Sequence, residues 1–342
     1  MKPGFMRMSI FKRRFIVCAF ALITIVTACV KNKTTPVLTP TTSTITQIVE
    51  GGSNLTILDS AMSKAGLLLT FDSSTNYTLF APTDVAFKNA GIYDSTISKY
   101  SVADLKRLIM YHTIANIGKT LAVLKTEVTT NTPIPSGSPN DTLFLTIDST
   151  GFLYVNGNLV TQADVIAKNG VIHVLSGVLV PPVGNIDSTL NLLIQSDTTL
   201  TYFVAALNRT KGRSTDLVSL LSTGVYTVFA PNNAAFRLTA DSTLDIIQNS
   251  ADPDSLARLL QTHIIAGRVF SSDFPADSVR FSIAAPTITW PKGDSLFFTS
   301  TIGNTIQSKG DTTQTGFLRT NILATNGVIH KINQVLFPYY PF

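Results

Sequence analysis

Apolar residues along this chain recur first at helical spacing and then at strand spacing, and that progression runs twice. Leu55, Leu58, Met62 and Ala65 share one helical face, with Asn54 placed to cap the helix and Gly66 to stop it. Tyr77-Thr78-Leu79-Phe80 has the aromatic, β-branched character of a strand, ended by Pro82. Pro82-Thr83-Asp84 then opens a short helix carrying Ala86 and Phe87. Leu105, Leu108, Ile109 and His112 fall at i, i+3, i+4 and i+7, behind a Ser101/Asp104 pair arranged as a capping box. From residue 143 the pattern turns strand-like: LFLTI at 143–147, FLYV at 152–155, VIA from 165, VIHVL from 171 and VLV from 178. Asp-Ser-Thr-Gly, Asn-Gly-Asn and Asn-Gly mark the turns.

The second pass repeats the first. YTLFAPTDVAF at 77–87 returns as YTVFAPNNAAF at 226–236, LKRLIMYH at 105–112 as LARLLQTH at 256–263, and NGVIH at 169–173 unchanged at 326–330. The order is kept and the offset grows only from 149 to 157 residues, so these are two copies of one domain-sized unit. Leu200, Phe203, Val204 and Leu207 remake the first helical stripe, and Asp252-Pro253 stands where Ser101 opened a helix. ITW at 288–290, LFF at 296–298, FLRT from 317, ILA from 322, VIH from 328 and VLF from 335 remake the strands. Helices cluster first and strands later, which predicts an α+β class. Pro181-Pro182-Val183-Gly184 is a very short join, so the units at 45–183 and 184–342 are expected to touch.

The N-terminus follows another rule. A basic stretch precedes FIVCAFALITIVTA at 15–28, an apolar run of 14 residues. That is too short to span a bilayer core of about 30 Å and suits a secretory signal over residues 1–28. Val26-Thr27-Ala28-Cys29 resembles the lipobox of bacterial lipoproteins, which makes Cys29 the expected lipidation site and the membrane an expected partner. Residues 29–44, rich in Thr and Pro and lacking hydrophobic period, read as an extended tether. Val30 is not the acidic residue that retains some lipoproteins at the inner membrane. The expected location is therefore the cell envelope, on the outer membrane, with its face left open.

Composition changes little else. The net charge of +5 comes from Lys2, Arg7, Lys12, Arg13 and Arg14; the remaining 21 basic residues match the 21 acidic ones, so no nucleic-acid partner is expected. No cysteine follows Cys29, which excludes an internal disulfide, a thiolate metal site and a cysteine nucleophile in the mature chain.

FAPTDVAF at 80–87 and FAPNNAAF at 229–236 resemble the first signature box of fasciclin-like domains, and NGVIH at 169–173 and 326–330 resembles the second. Tyr111-His112 resembles the Tyr-His element between them. The resemblance covers about residues 43–182 and 186–340. It implies two tandem fasciclin-like domains, each a β-sandwich wedge with helices packed around it. It also implies a protein that is extracellular, surface-anchored and adhesive, as most of the family is.

His112, His173, His263 and His330 are the chain's four histidines, two per copy at matching positions. No Cys, Asp or Glu stands at ligand spacing beside them, so neither a metal nor another cofactor is expected. They read as structural: neutral imidazoles that donate from one nitrogen and accept at the other, tying a helix to a strand. In the word NGVIH, Asn-Gly is expected to supply the turn and Val-Ile the buried strand. Hydrolase, zincin, phosphate-loop and dinucleotide motifs are missing, so no catalytic residue and no enzymatic activity is expected.

In some animal members the Tyr-His element is tied to receptor binding, which makes Tyr111 and His112 candidate interaction residues. The second copy has Thr262 in place of the tyrosine. Thr83-Asp84 becomes Asn232-Asn233, all four able to cap a helix. Asp followed by Ser or Thr recurs at Asp59, Asp94, Asp141, Asp148, Asp187, Asp197, Asp241, Asp254, Asp277, Asp294 and Asp311. Turn and cap chemistry accounts for the pattern, and an O-glycan acceptor sequon used by some envelope bacteria is the alternative. The expected role is adhesion, or contact with a matrix, surface protein or polysaccharide. The alternative is glycan capture for nutrient uptake, with Tyr154, Trp290, Tyr339 or Tyr340 stacking on sugars.

Overall fold

A computed structural model describes residues 42–239, 253–274, 296–299, 305–308 and 310–338. Residues 1–41, Cys29 among them, Asp252, Trp290, Tyr339, Tyr340 and the expected strand at 288–290 lie outside these residues.

The first repeat runs α1 (Ile45–Glu50), α2 (Thr56–Lys64), α3 (Leu68–Asp72), β1 (Tyr77–Pro82), α4 (Asp84–Asn89), α5 (Asp94–Ile97), α6 (Val102–Tyr111), β2 (Thr113–Ala115), α7 (Leu121–Glu127) and β3 (Thr132–Pro135). It closes with β4 (Thr142–Ile147), β5 (Leu153–Val155), β6 (Asn158–Ala167) and β7 (Gly170–Leu175). The strands join in the order β2-β1-β7-β6-β5-β4-β3. Only β1 and β7 pair in parallel, with Phe80 opposite His173.

The long strand β6 lets one sheet make two layers. Its register against β7 slips between Val160 and Gln162 and again between Gln162 and Val165, with Asp164 at φ 61°. Such bulges bend a strand and increase its twist. The two halves of the sheet therefore face each other. Phe80 of β1, Leu143 and Leu145 of β4, Val155 of β5 and Leu175 of β7 fall in one buried cluster. Leu79, Ala81 and Ile172 point the other way, onto Ile45, Leu58 and Leu105 of the helices. Alternation along β1 thus feeds two cores, each fully buried Leu or Phe contributing about 1.5–3 kcal/mol.

The second repeat gives α8 (Ile186–Ser196), α9 (Thr201–Arg209), α10 (Leu217–Thr223), β8 (Tyr226–Pro231), α11 (Asn233–Arg237), a helix over Pro253–Gln261, and β9 (Ile264–Ala266). Its later strands are β10 (Leu296–Thr299), β11 (Thr305–Ser308), β12 (Thr315–Ala324) and β13 (Gly327–Ile332), and the described order is β10-β11-β12-β13-β8-β9. β13 lies parallel to β8 with His330 opposite Phe229, as in the first repeat.

Several expectations are corrected. Asn54 does not cap α2, whose N-cap residue Leu55 makes no side-chain bond. VLV from 178 and VLF from 335 are not strands, because the N–H groups of Leu179 and Leu336 go to histidine rings instead of to a ladder. VIA from 165 is the end of β6, and FLRT and ILA are one bulged strand, β12. Thr44 belongs to the fold and not to a tether: it caps α1 in a capping box with Gln47, and Ser43 accepts from the Lys168 N–H.

The repeats touch. Phe270, Leu323 and Val328 of the second pack in the same buried cluster as Leu145 and Val155 of the first. Asn131 donates to the Arg268 carbonyl and to Asp273 Oδ2, at 3.0 and 2.9 Å. The Arg268 guanidinium lies 3.9 Å from the centroid of the Phe144 ring.

Candidate functional site

The four histidines occupy two sites, each built once per repeat. His112 caps the end of α6: its Nδ1 bonds the Leu108 carbonyl at 2.8 Å, and its Nε2 accepts the Leu179 N–H at 2.8 Å. His263 bonds the Leu259 carbonyl and accepts from the Leu336 N–H, both at 2.9 Å. His173, in β7, bonds the Lys119 carbonyl through Nε2 at 2.9 Å and accepts the Asp164 N–H at Nδ1. His330 does the same with the Val269 carbonyl and the Asn321 N–H. Asp164 and Asn321 are the positive-φ residues of the β6 and β12 bulges, so this histidine pins the bend that folds the sheet. Phe80 and Phe229 stack on it, ring centroids 5.6 and 5.4 Å away.

All four rings are fully buried. Burial pushes His112, His263 and His330 down to about 4 and lowers His173 as well, outweighing the backbone carbonyls that favour the protonated form. A neutral imidazole with both nitrogens committed neither ligates a metal nor relays a proton. Among the described residues no three His, Cys, Asp or Glu side chains converge as a metal site.

The rest of NGVIH is equally occupied. Asn169 accepts the Ile45 N–H at Oδ1 and donates to the carbonyls of Phe71 and Ser73. Asn326 repeats this with Ile186, Leu221 and Gly224. The asparagine therefore clasps the start of the first helix to the end of a later one, a role that its place in an Asn-Gly turn did not reveal. The glycine permits a close approach. A β-carbon on Gly170 would lie 2.0 Å from the Tyr77 carbonyl oxygen, and one on Gly327 would lie 1.9 Å from that of Tyr226.

The first box holds two caps of different helices. Thr83 and Asn232 accept from the N–H groups of Ala86 and Ala235 and cap their own helices. Asp84 accepts the Ile57 N–H at 2.9 Å and the Thr56 hydroxyl at 2.7 Å, and Asn233 accepts the Tyr202 N–H at 3.0 Å. These cap α2 and α9 from the neighbouring helix. They supply what Asn54 was expected to supply.

Tyr111 and His112 offer no contact surface here. Both are fully buried, because the last turn of α6 faces the sandwich. The Tyr111 hydroxyl donates to the Thr142 carbonyl and accepts from Asn156, and burial raises its pKa. Nearby, Arg107 holds Asp141 with two bonds of 2.9 and 3.0 Å. Burial alone would raise the Asp141 carboxyl, but Arg107 and Ser138 outweigh it and hold it below its usual value. Asp148 and Asp197 close Asp-Ser/Thr turns onto Thr150 and Thr199, and Tyr154 is half-buried. Asp241, Asp254, Asp277 and Asp294 lie outside the residues whose side chains are described.

These contacts define a duplicated α+β scaffold whose repeated words are spent on holding it together. The fasciclin domain family model matches residues 53–181 and 198–338, and the chain belongs to that family. It is similar to transforming growth factor-beta-induced protein ig-h3 from Sus scrofa, 29% identical over 77% of this chain and 35% of the relative. Fasciclin-1 from Schistocerca americana is 25% identical over 75% of this chain and 35% of that protein. The chain thus spans about a third of the length of these relatives. Among solved structures, a FAS1 domain pair from the insect cell adhesion molecule fasciclin I aligns at 18% identity. It covers 84% of this chain and 98% of that one with a TM-score of 0.36. No helix among the described residues is long and apolar enough to cross a membrane.

Proposed function

We propose that this protein is a non-catalytic, lipid-anchored adhesion module of a bacterial cell envelope. Two fasciclin domains would stand off the outer membrane on the Thr/Pro tether after Cys29 and contact a matrix, surface protein or polysaccharide. The carrying observation is that the residues kept between the two repeats are spent on the fold itself: the histidine rings are fully buried, and the asparagine clasps and paired caps are bonded to neighbouring backbone. Supporting it are membership of the fasciclin domain family, whose resemblance implies an adhesive role, and the lipobox-like Val26–Cys29. Binding would then come from exposed surface, with many anchored copies raising the effective concentration of individually weak contacts.

Cells carrying the wild-type chain are expected to aggregate, and Cys29→Ser is expected to release the protein from the membrane fraction and abolish aggregation. Retention of the Cys29→Ser chain in membranes removes the anchor. Aggregation that protease shaving of intact cells leaves unchanged removes the adhesive role. Strong, selective signals on a glycan array without aggregation would favour the glycan-capture reading.

A further inference from the structure

A cavity of about 470 Å³ opens where the two repeats meet, within the size range of small-molecule sites. Its apolar wall comes from both sides: Val178 and Val180 from the segment after β7, Leu192 and Leu193 from α8, and Ile322 from β12. Val180 and Leu192 are 51% and 45% exposed, as is neighbouring Val183 at 62%, so apolar surface of both repeats is left to water around one opening. Arg319 is the one charged side chain among the lining residues, and no carboxylate lines the cavity to neutralise it.

The polar lining argues against a sugar. Asn156 is committed to the Phe144 N–H and the Tyr111 hydroxyl, Asn321 to Ser271 and the Gly157 carbonyl, and Ser176 to the Leu159 N–H. None of the aromatic rings on which sugars stack lines the wall. Beside the side chains of Asn89 and Thr320, what the site offers is apolar area and one positive charge.

We propose that this cavity binds a soluble anionic amphiphile, its apolar tail against Val178, Val180, Leu192, Leu193 and Ile322 and its carboxylate at Arg319. A neutral amphiphile gains only the area term, and a short carboxylate only the charge. Because both repeats form the wall, the bound amphiphile bridges them.

The test uses the full chain carrying Cys29→Ser, with decanoate, decanol and acetate as probes, read by titration calorimetry. Decanoate is expected to bind saturably at one site per chain, and acetate not measurably. Arg319→Gln is expected to weaken decanoate ten-fold or more while leaving decanol unchanged. Val180→Trp, at a half-exposed position that tolerates bulk, is expected to abolish both by filling the space. Near-ultraviolet circular dichroism confirms that both variants fold. Absence of saturable decanoate binding overturns the proposal. So does decanol binding as tightly as decanoate, or decanoate binding that survives either substitution.

Discussion

Leu179 donates its backbone N–H to Nε2 of His112 at 2.8 Å, and this bond closes the segment beyond the last strand onto the end of α6. Leu336 and His263 make the same closure in the second repeat. A protonated ring has no lone pair for that N–H, so protonation breaks the bond and places an uncompensated charge in the core.

Stability should therefore fall with acid. The folded-state values of His112, His263 and His330 lie near 4, below the ordinary 6.5, so the unfolded chain binds more protons between those limits. The contribution is complete above pH 6.5 and is lost as pH falls toward 4, at up to about 1.4 kcal/mol per pH unit for each ring. Asp273 and Asp311, raised by burial, act in the opposite sense toward the lower end of the window. Urea unfolding at several pH values between 7 and 4.5 is expected to show the decline, and His112→Gln to remove about one ring's share of the slope. A stability that stays flat over that window would refute the neutral, buried assignment.

Asn169→Ala leaves the Ile45 N–H and the carbonyls of Phe71 and Ser73 without their partner, beneath a residue only 3% exposed. Each orphaned buried group costs about 1–3 kcal/mol, so a loss of roughly 3 kcal/mol or more is expected by denaturant titration. Gly170→Ala drives a methyl group into the Tyr77 carbonyl across the parallel β1–β7 pair, at a position with φ +153°, and should cost at least as much. Asn169→Asp separates the two halves of the clasp: it keeps the acceptor for Ile45 and loses only the donor pair.

Much of this was legible because the chain states it twice. Local chemistry announced β1, α6 and β7: alternation in Tyr77–Phe80, the apolar stripe Leu105–Leu108–Ile109, and the Ser101 cap that indeed accepts from Asp104. Duplication in turn separated words that matter from chance. What stayed hidden was non-local. Asp84 sits next to a helix start and reads as its cap, yet its carboxylate serves α2, 28 residues upstream. The hydrophobic run Val178–Val180 looks like a strand, yet its N–H bonds a ring that no periodicity points to. Tyr111 reads as a contact residue because it matches the family's Tyr-His element, which is tied to receptor binding in some animal members. Its partner Asn156, which donates to the buried hydroxyl from 45 residues downstream, is invisible at helical or strand spacing.

The cap at Asp84 makes a graded prediction. Asn233 holds α9 in the second repeat with a neutral amide, so Asp84→Asn should keep the bond to the Ile57 N–H and cost under about 1 kcal/mol. Asp84→Ala removes both bonds and should cost about 1–2 kcal/mol. Hydrogen exchange localises the effect: protection should fall at the start of α2 and hold at α4, which Thr83 caps independently. Equal loss at both helices would show that the carboxylate acts on its own helix after all.

The seam between the repeats carries the last prediction. Asn131 reaches across to the Arg268 carbonyl and the Asp273 carboxylate, and the Arg268 guanidinium rests on Phe144. Arg268 is largely buried, bonds the Thr325 carbonyl through Nη2, and has no hydrogen-bond partner at Nε. The ring face of Phe144 is thus the main compensation for that charge on the first repeat's side. Phe144→Ala exposes the guanidinium to an empty space, and Asn131→Ala leaves Asp273 with one donor fewer. Because a single buried cluster runs through the seam, the wild-type pair is expected to unfold in one calorimetric transition. The double variant should split it into two. Arg268→Met, which removes the charge that Phe144 compensates while keeping apolar bulk, should restore part of the coupling in Phe144→Ala. A double variant that still melts in one transition at an unchanged temperature would show that the seam's apolar contacts alone join the repeats.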